Sequence, residues 1–256
     1  MGIVLPQLAP ASEDRVSGAQ VIDGSLKFDR ASKTHLFKTF GKRGSSSRFT
    51  WSYWIKRTKF GVGDQRVFSS SSGSGSPGFV NWFTSNDVLE ARHYNGSAWD
   101  IVFQTTNKFR DTGWYHIVCV VDVTEQNSTD RIKIYVNGTR ETQLNTTTYG
   151  PARYEPLIFN GSNKSAVGSG TADGNEALDA HLSNYYAIDG FALGPESFGY
   201  TDPLTGVWRP KKFSGELNPP FSDNWEDATT GTGFNASTNK QNAFDGNPDT
   251  QAATGQ

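Results

Sequence analysis

Hydrolysis of a glycosidic bond needs two carboxyl groups flanking the bond, one acting as acid and one as nucleophile. A strand can present them in a Glu-x-Asp-x-x-Glu pattern, and this chain does not contain that spacing. Glu176 to Asp179 and the pair Glu226-Asp227 lack a second partner at strand spacing. The four histidines, His35, His93, His116 and His181, are scattered. They show no metal-ligand spacing and no neighbouring motif Ser or Cys nucleophile. His116 reads as a packed, hydrogen-bonded residue. The single cysteine, Cys119, sits in the apolar run Ile117-Val118-Cys119-Val120-Val121 and reads as a small buried hydrophobe. With one thiol no intramolecular disulfide can form. The expectation is a protein that is not an enzyme.

Binding chemistry is better represented. In Thr171-Ala172-Asp173-Gly174-Asn175-Glu176, the side chains of Asp173, Asn175 and Glu176 are hard oxygen donors suited to calcium. The same stretch also reads as a solvated turn. Trp54, Trp82 and Trp99 could stack on sugar rings, and a sandwich of this size equally needs tryptophans in its core. The apolar residues Ile3, Val4, Leu5 and Leu8, with Trp208 and Arg209 near the other end, are of the types that anchor protein contacts.

The elements that must position these residues are strands. Phe49 to Lys56 alternates, with Phe49, Trp51, Tyr53 and Ile55 on one face and Thr50, Ser52, Trp54 and Lys56 on the other. Ser25–Asp29, Phe79–Phe83, Leu89–Tyr94 and Trp99–Phe103 read as further strands. Trp114 to Val123 is nearly continuously apolar, as expected of a central strand covered on both faces. Arg131 to Thr139 alternates and ends at Asn137-Gly138, the signature of a type I′ hairpin. The Ser/Gly-rich stretch 69–78 reads as a flexible loop. No helical period persists beyond two turns. An all-β antiparallel sandwich follows.

Composition agrees. Aromatic residues make up 13% of 256 and hydrophobic residues 35%, a mix suited to short strands and polar turns. The net charge is −2 and no basic run is long enough to track a phosphate backbone, so nucleic acid is not an expected partner. Residues 1–10 lack the features of a signal peptide, and membrane insertion is not expected. The domain reading is a docking arm over 1–21, a sandwich over 22–213, and a linker with the start of a further, incomplete domain over 214–256. The chain thus reads as the N-terminal part of a longer protein.

Three stretches carry a resemblance. Trp51-x-x-Trp54-Ile55-Lys56-Arg57 resembles the early strand of laminin-G/pentraxin-like domains. Gly113-Trp114-Tyr115-His116-Ile117-Val118, followed by Ile132 to Gly138, resembles their paired central strands. Residues 181–213, and the arm Ile3 to Pro10, resemble laminin-G-like proteins of phages of marine cyanobacteria. Asn242 to Gly246 resembles the opening of discoidin-like carbohydrate-binding modules. The resemblance implies a laminin-G/concanavalin-like jelly roll. It also implies a virion structural protein, either a head decoration or knob protein or a tail appendage, displayed on the particle surface. Its expected partners are other virion proteins and further copies of itself. The alternative is a tail-fibre protein that binds host-surface glycan. Calcium at the sandwich rim is a feature that many laminin-G domains would add.

Overall fold

The computed structural model describes residues 24–39, 47–70, 77–150, 164–170 and 174–215. In chain order the strands are β1 (Leu26–Phe28), β2 (Leu36–Thr39), β3 (Arg48–Arg57), β4 (Gln65–Ser69), β5 (Gly78–Phe83), β6 (Val88–Tyr94), β7 (Trp99–Lys108), β8 (Tyr115–Asp122), β9 (Ile132–Val136), β10 (Thr139–Arg140), β11 (Leu144–Tyr149), β12 (Lys164–Val167), β13 (Ala180–Asp189), β14 (Gly199–Thr201) and β15 (Trp208–Pro210). One sheet runs β1-β13-β3-β8-β9-β10, a second runs β11-β7-β6-β5-β4-β12-β2, and β14-β15 form a separate hairpin. All paired strands are antiparallel. The expected antiparallel sandwich is therefore observed. These strands lie in a compact unit ending at Lys211; of the second unit, from Lys212, only residues 212–215 are described.

Alternation explains the core. Phe49, Trp51, Tyr53 and Ile55 of β3 point inward, as do Ile117, Cys119 and Val121 of β8 and Ile132 and Ile134 of β9; all are fully buried. The facing sheet supplies Phe79, Phe83, Leu89, Ala91, Ile101 and Phe103. Phe49 and Trp51 pack on Phe79 across the gap, with ring centroids 5.4 and 4.7 Å apart. A polar bridge crosses the core: Tyr53 OH donates to Asn81 Oδ1 at 2.5 Å, and Asn81 Nδ2 donates to the Glu90 carbonyl. A hydroxyl and an amide buried between sheets satisfy each other and fix the sheets' registration. Asn137 and Gly138 both have positive φ, 48° and 80°, as the hairpin signature requires.

One correction concerns the elements. The stretch 69–78 is not all loop, since Ser69 closes β4 and Gly78 opens β5, and both are buried. Residues 71–76 lie outside the described residues. Strands β2, β4, β11 and β12 had no strong alternation to announce them; they gain their identity from pairing.

Candidate functional site

The outer face of the six-stranded sheet is covered by the chain itself. After β13 the backbone crosses β3, where Thr50 Oγ1 donates to the Phe191 carbonyl and accepts from Leu193 N–H. The β14-β15 hairpin then lies over β3 and β8. Trp208 stacks on His116 at 5.9 Å, and His116 stacks on Trp54 at 5.0 Å, both nearly parallel. Gly138 and Gly199 make the slot for the Trp208 indole: a Cβ built on either would lie 2.4–2.5 Å from the ring. Trp208 Nε1 donates to His116 Nδ1, and His116 Nε2 meets Ser52 Oγ, each at 2.9 Å. An indole N–H only donates, so Nδ1 is bare and Nε2 carries the proton. Burial pushes His116 down to about 3, so the imidazole is neutral at ordinary pH.

This arrangement corrects one expectation. Trp54 does not stand on an open polar face; it is 6% exposed beneath His116. Trp208, half-buried, is the rivet that holds the chain's own hairpin. What the hairpin exposes instead is its tip. Leu204 is 94% exposed and Val207 is exposed too, with Arg209 beside them on β15. The tip is ordered by its own bonds. Asp202 Oδ1 accepts from Leu204 N–H, Asp202 N–H donates to the Val207 carbonyl, and Gly206 N–H donates to the Asp202 carbonyl. The Leu204 N–H bond, ahead of the Arg209 charge, holds the Asp202 carboxyl below its ordinary range.

The outer face of the seven-stranded sheet carries a row in direct register: Arg66, Trp82, Glu90 and Gln104 on β4, β5, β6 and β7. Trp82 is also buried, which corrects its expected role as an open stacking platform. The Arg66 guanidinium lies 4.1 Å from its ring centroid and that of Arg92 lies 5.3 Å away. Glu90 sits 2.8 Å from Arg92 Nε as an ion pair without hydrogen-bond alignment, and accepts from Gln104. Burial raises its carboxyl above the ordinary value. Trp99 differs. It opens β7 with 43% of its surface exposed, backed by Tyr94 at 5.2 Å and Arg92 at 5.7 Å. Of the three candidate tryptophans, only Trp99 presents an open ring. The alternation of Leu89 to Tyr94 is the sequence signal that places Glu90, Arg92 and Tyr94 on one face.

Of the candidate calcium ligands Asp173, Asn175 and Glu176, two lie among the described residues. The Glu176 carboxylate forms a two-pronged pair with Arg66, at 2.7 and 3.3 Å, so a guanidinium already occupies its charge. Asn175 is exposed, and Asp173 lies outside the described residues. Among the described residues no cluster of three or more His, Cys, Asp or Glu side chains could hold a metal ion. The arm residues Ile3, Val4, Leu5 and Leu8, and residues 216–256, also lie outside the described residues. No described helix is long and apolar enough to cross a membrane.

Comparison with known proteins fits this geometry. Residues 31–186, more than half of the chain, match the laminin-G family model of the concanavalin A-like lectin/glucanases superfamily. Among solved structures, a heptameric SAP-like pentraxin from Limulus polyphemus is similar at 14% identity and a TM-score of 0.38, over 60% of this chain and 68% of that one. Domains LG4-5 of the mouse laminin alpha1 chain are similar at 10% identity and 0.48, over 69% of this chain and 46% of that one. A Trypanosoma rangeli sialidase is similar at 15% identity and 0.40, over 58% of this chain and only 21% of that one. No activity is carried over from these structures. No curated protein matches the chain. With its two facing antiparallel sheets and the family match across them, the chain belongs to the concanavalin A-like lectin/glucanases superfamily, in its laminin-G branch.

Proposed function

We propose that this protein is a structural subunit of a phage particle, carried on the particle surface through protein–protein contacts of a sandwich that does no catalysis. The observation that carries the contact role is the tip of the β14-β15 hairpin. A leucine left 94% exposed on a turn fixed by Asp202 is a pre-organised apolar knob, which loses little freedom when it is buried. Arg209 flanks it as a polar rim. The phage setting rests on the resemblance of residues 181–213 and of the Ile3 to Pro10 arm to laminin-G-like phage proteins. Repeated copies around a shell vertex or a tail axis would make the sandwich a homo-oligomeric decoration.

The test is incorporation. Particles assembled with a Leu204→Asp chain should carry at least tenfold fewer copies, while the isolated chain melts within about a degree of the unsubstituted one. Normal copy number would sink the contact role. The position and symmetry of the chain in an intact particle then separate a head knob from a tail appendage.

One observation favours a second reading, adsorption to host-surface glycan. Trp99, open on one side and backed by Tyr94 and Arg92, has the composition of a sugar-stacking site.

A further inference from the structure

The chain holds three Asn-Gly pairs, at 95–96, 137–138 and 160–161. In such a pair no side chain shields the backbone nitrogen that follows the asparagine, so it can approach the asparagine's own amide carbon. Whether it does depends on how the turn is built. The first two pairs lie among the described residues, and their turns differ.

Asn137-Gly138 is locked. Asn137 Oδ1 accepts from His116 N–H, and Asn137 N–H donates to the His116 carbonyl, each at 2.8 Å. The Trp208 indole fills the space over Gly138, where an added Cβ would lie 2.5 Å from the ring. A peptide clamped to the neighbouring strand and capped by a ring can neither pivot nor readily admit water.

Asn95-Gly96 is open and arranged for attack. Both residues are exposed, as are Ser97 and Ala98 after them. Among the described residues the Gly96 N–H has no hydrogen-bond partner. Asn95 Oδ1 accepts from Ser97 N–H at 2.8 Å and from Ala98 N–H at 2.9 Å. These bonds fold the side chain forward over the Gly96 peptide. They also draw charge from the amide carbon. Two N–H groups on one oxygen are the donor arrangement that stabilises a tetrahedral oxyanion.

We infer that Asn95 is a site of spontaneous covalent modification, by ring closure onto the Gly96 nitrogen. That nitrogen gives its proton to solvent and bonds to Asn95 Cγ. The Cγ–Nδ2 bond then breaks, Nδ2 takes up a proton and leaves as ammonia, and a five-membered succinimide remains. One water molecule opens the ring at either carbonyl, giving aspartate or isoaspartate at position 95. Either product puts a carboxylate where an amide stood, and isoaspartate also lengthens the main chain of the turn by one carbon. Tyr94 and Trp99 pair across this turn with ring centroids 5.2 Å apart, so the change falls beside the open indole. The inference stands whether or not that ring binds glycan.

Trypsin places the three pairs in separate peptides, His93 to Lys108, Ile134 to Arg140 and Tyr154 to Lys164. The full chain is held in mildly alkaline buffer, and each peptide is followed by mass spectrometry, with an isoaspartate-specific methyltransferase reading the rearranged product. In the folded chain, conversion at Asn95 should run about tenfold or more faster than at Asn137. In urea, where both turns are lost, the Asn137 rate should rise to that of Asn95. Equal rates in the folded chain overturn the inference. So does a ratio that unfolding leaves unchanged, because the difference would then lie in the flanking sequence. Trp208→Ala gives an independent reading. It uncovers Gly138, so conversion at Asn137 should speed up several-fold while that at Asn95 stays the same, and an unchanged Asn137 rate overturns the contrast between the two turns.

Discussion

At the scale of single residues, three tryptophans with the same sequence-level promise have three fates. Trp54 is stacked under His116, Trp82 is flanked by Arg66 and Arg92, and Trp99 is open. Removing a buried indole leaves a cavity, so Trp54→Ala should lower unfolding free energy by about 3–5 kcal/mol in a urea titration. Trp99→Ala should change it by less than about 0.5 kcal/mol. On the glycan reading, Trp99→Ala alone should also cut host-cell binding without loss of fold. An array and cell response that is flat for the unsubstituted protein removes that reading. The residue types were legible in the sequence; which ring stays open was not, because exposure depends on strands far away in the chain.

At the scale of elements, β8 shows what a strand's pattern can and cannot say. Its continuous apolar run predicts cover on both faces, and both faces are covered: Ile117, Cys119 and Val121 by the facing sheet, Val118 and His116 on the side of the hairpin. The sequence does not name the second cover, because Trp208 lies 92 residues from His116. The rivet gives a graded prediction. Trp208→Phe keeps a ring in the slot and loses the bond to His116, at a cost of about 1 kcal/mol. Trp208→Ala empties the slot at about 2 kcal/mol or more, and amides of β14 and β15 should then exchange with solvent much faster than those of β3 and β8. Equal exchange in all four strands would mean that the hairpin is held by something other than its tryptophan.

At the scale of the whole molecule, stability should depend on acid in a defined direction. Burial works against ionising Asp87 and Asp179, but their partners prevail. Gly61 N–H, Arg110 and Arg57 hold Asp87 below its ordinary value, and Thr58 and Lys59 do the same for Asp179. A depressed carboxyl contributes stability that is present above the unfolded value of 3.8 and lost as pH falls toward the folded one. Glu90, raised by burial, has the opposite sign and gains from protonation at slightly higher pH. The melting temperature should therefore hold near pH 5 and fall steeply below about pH 4; a flat profile to pH 2 would contradict the assignment. The sequence by itself determined the class of the molecule. Alternation in β3, β6 and β9, the Asn137-Gly138 turn and the double-faced β8 are local patterns, and period and turn chemistry act over a few residues. Only the tertiary structure decided which surfaces remain open. The covered Trp54, the Glu176–Arg66 pair and the knob at Leu204 all depend on contacts between segments far apart in sequence, where local pattern carries no information.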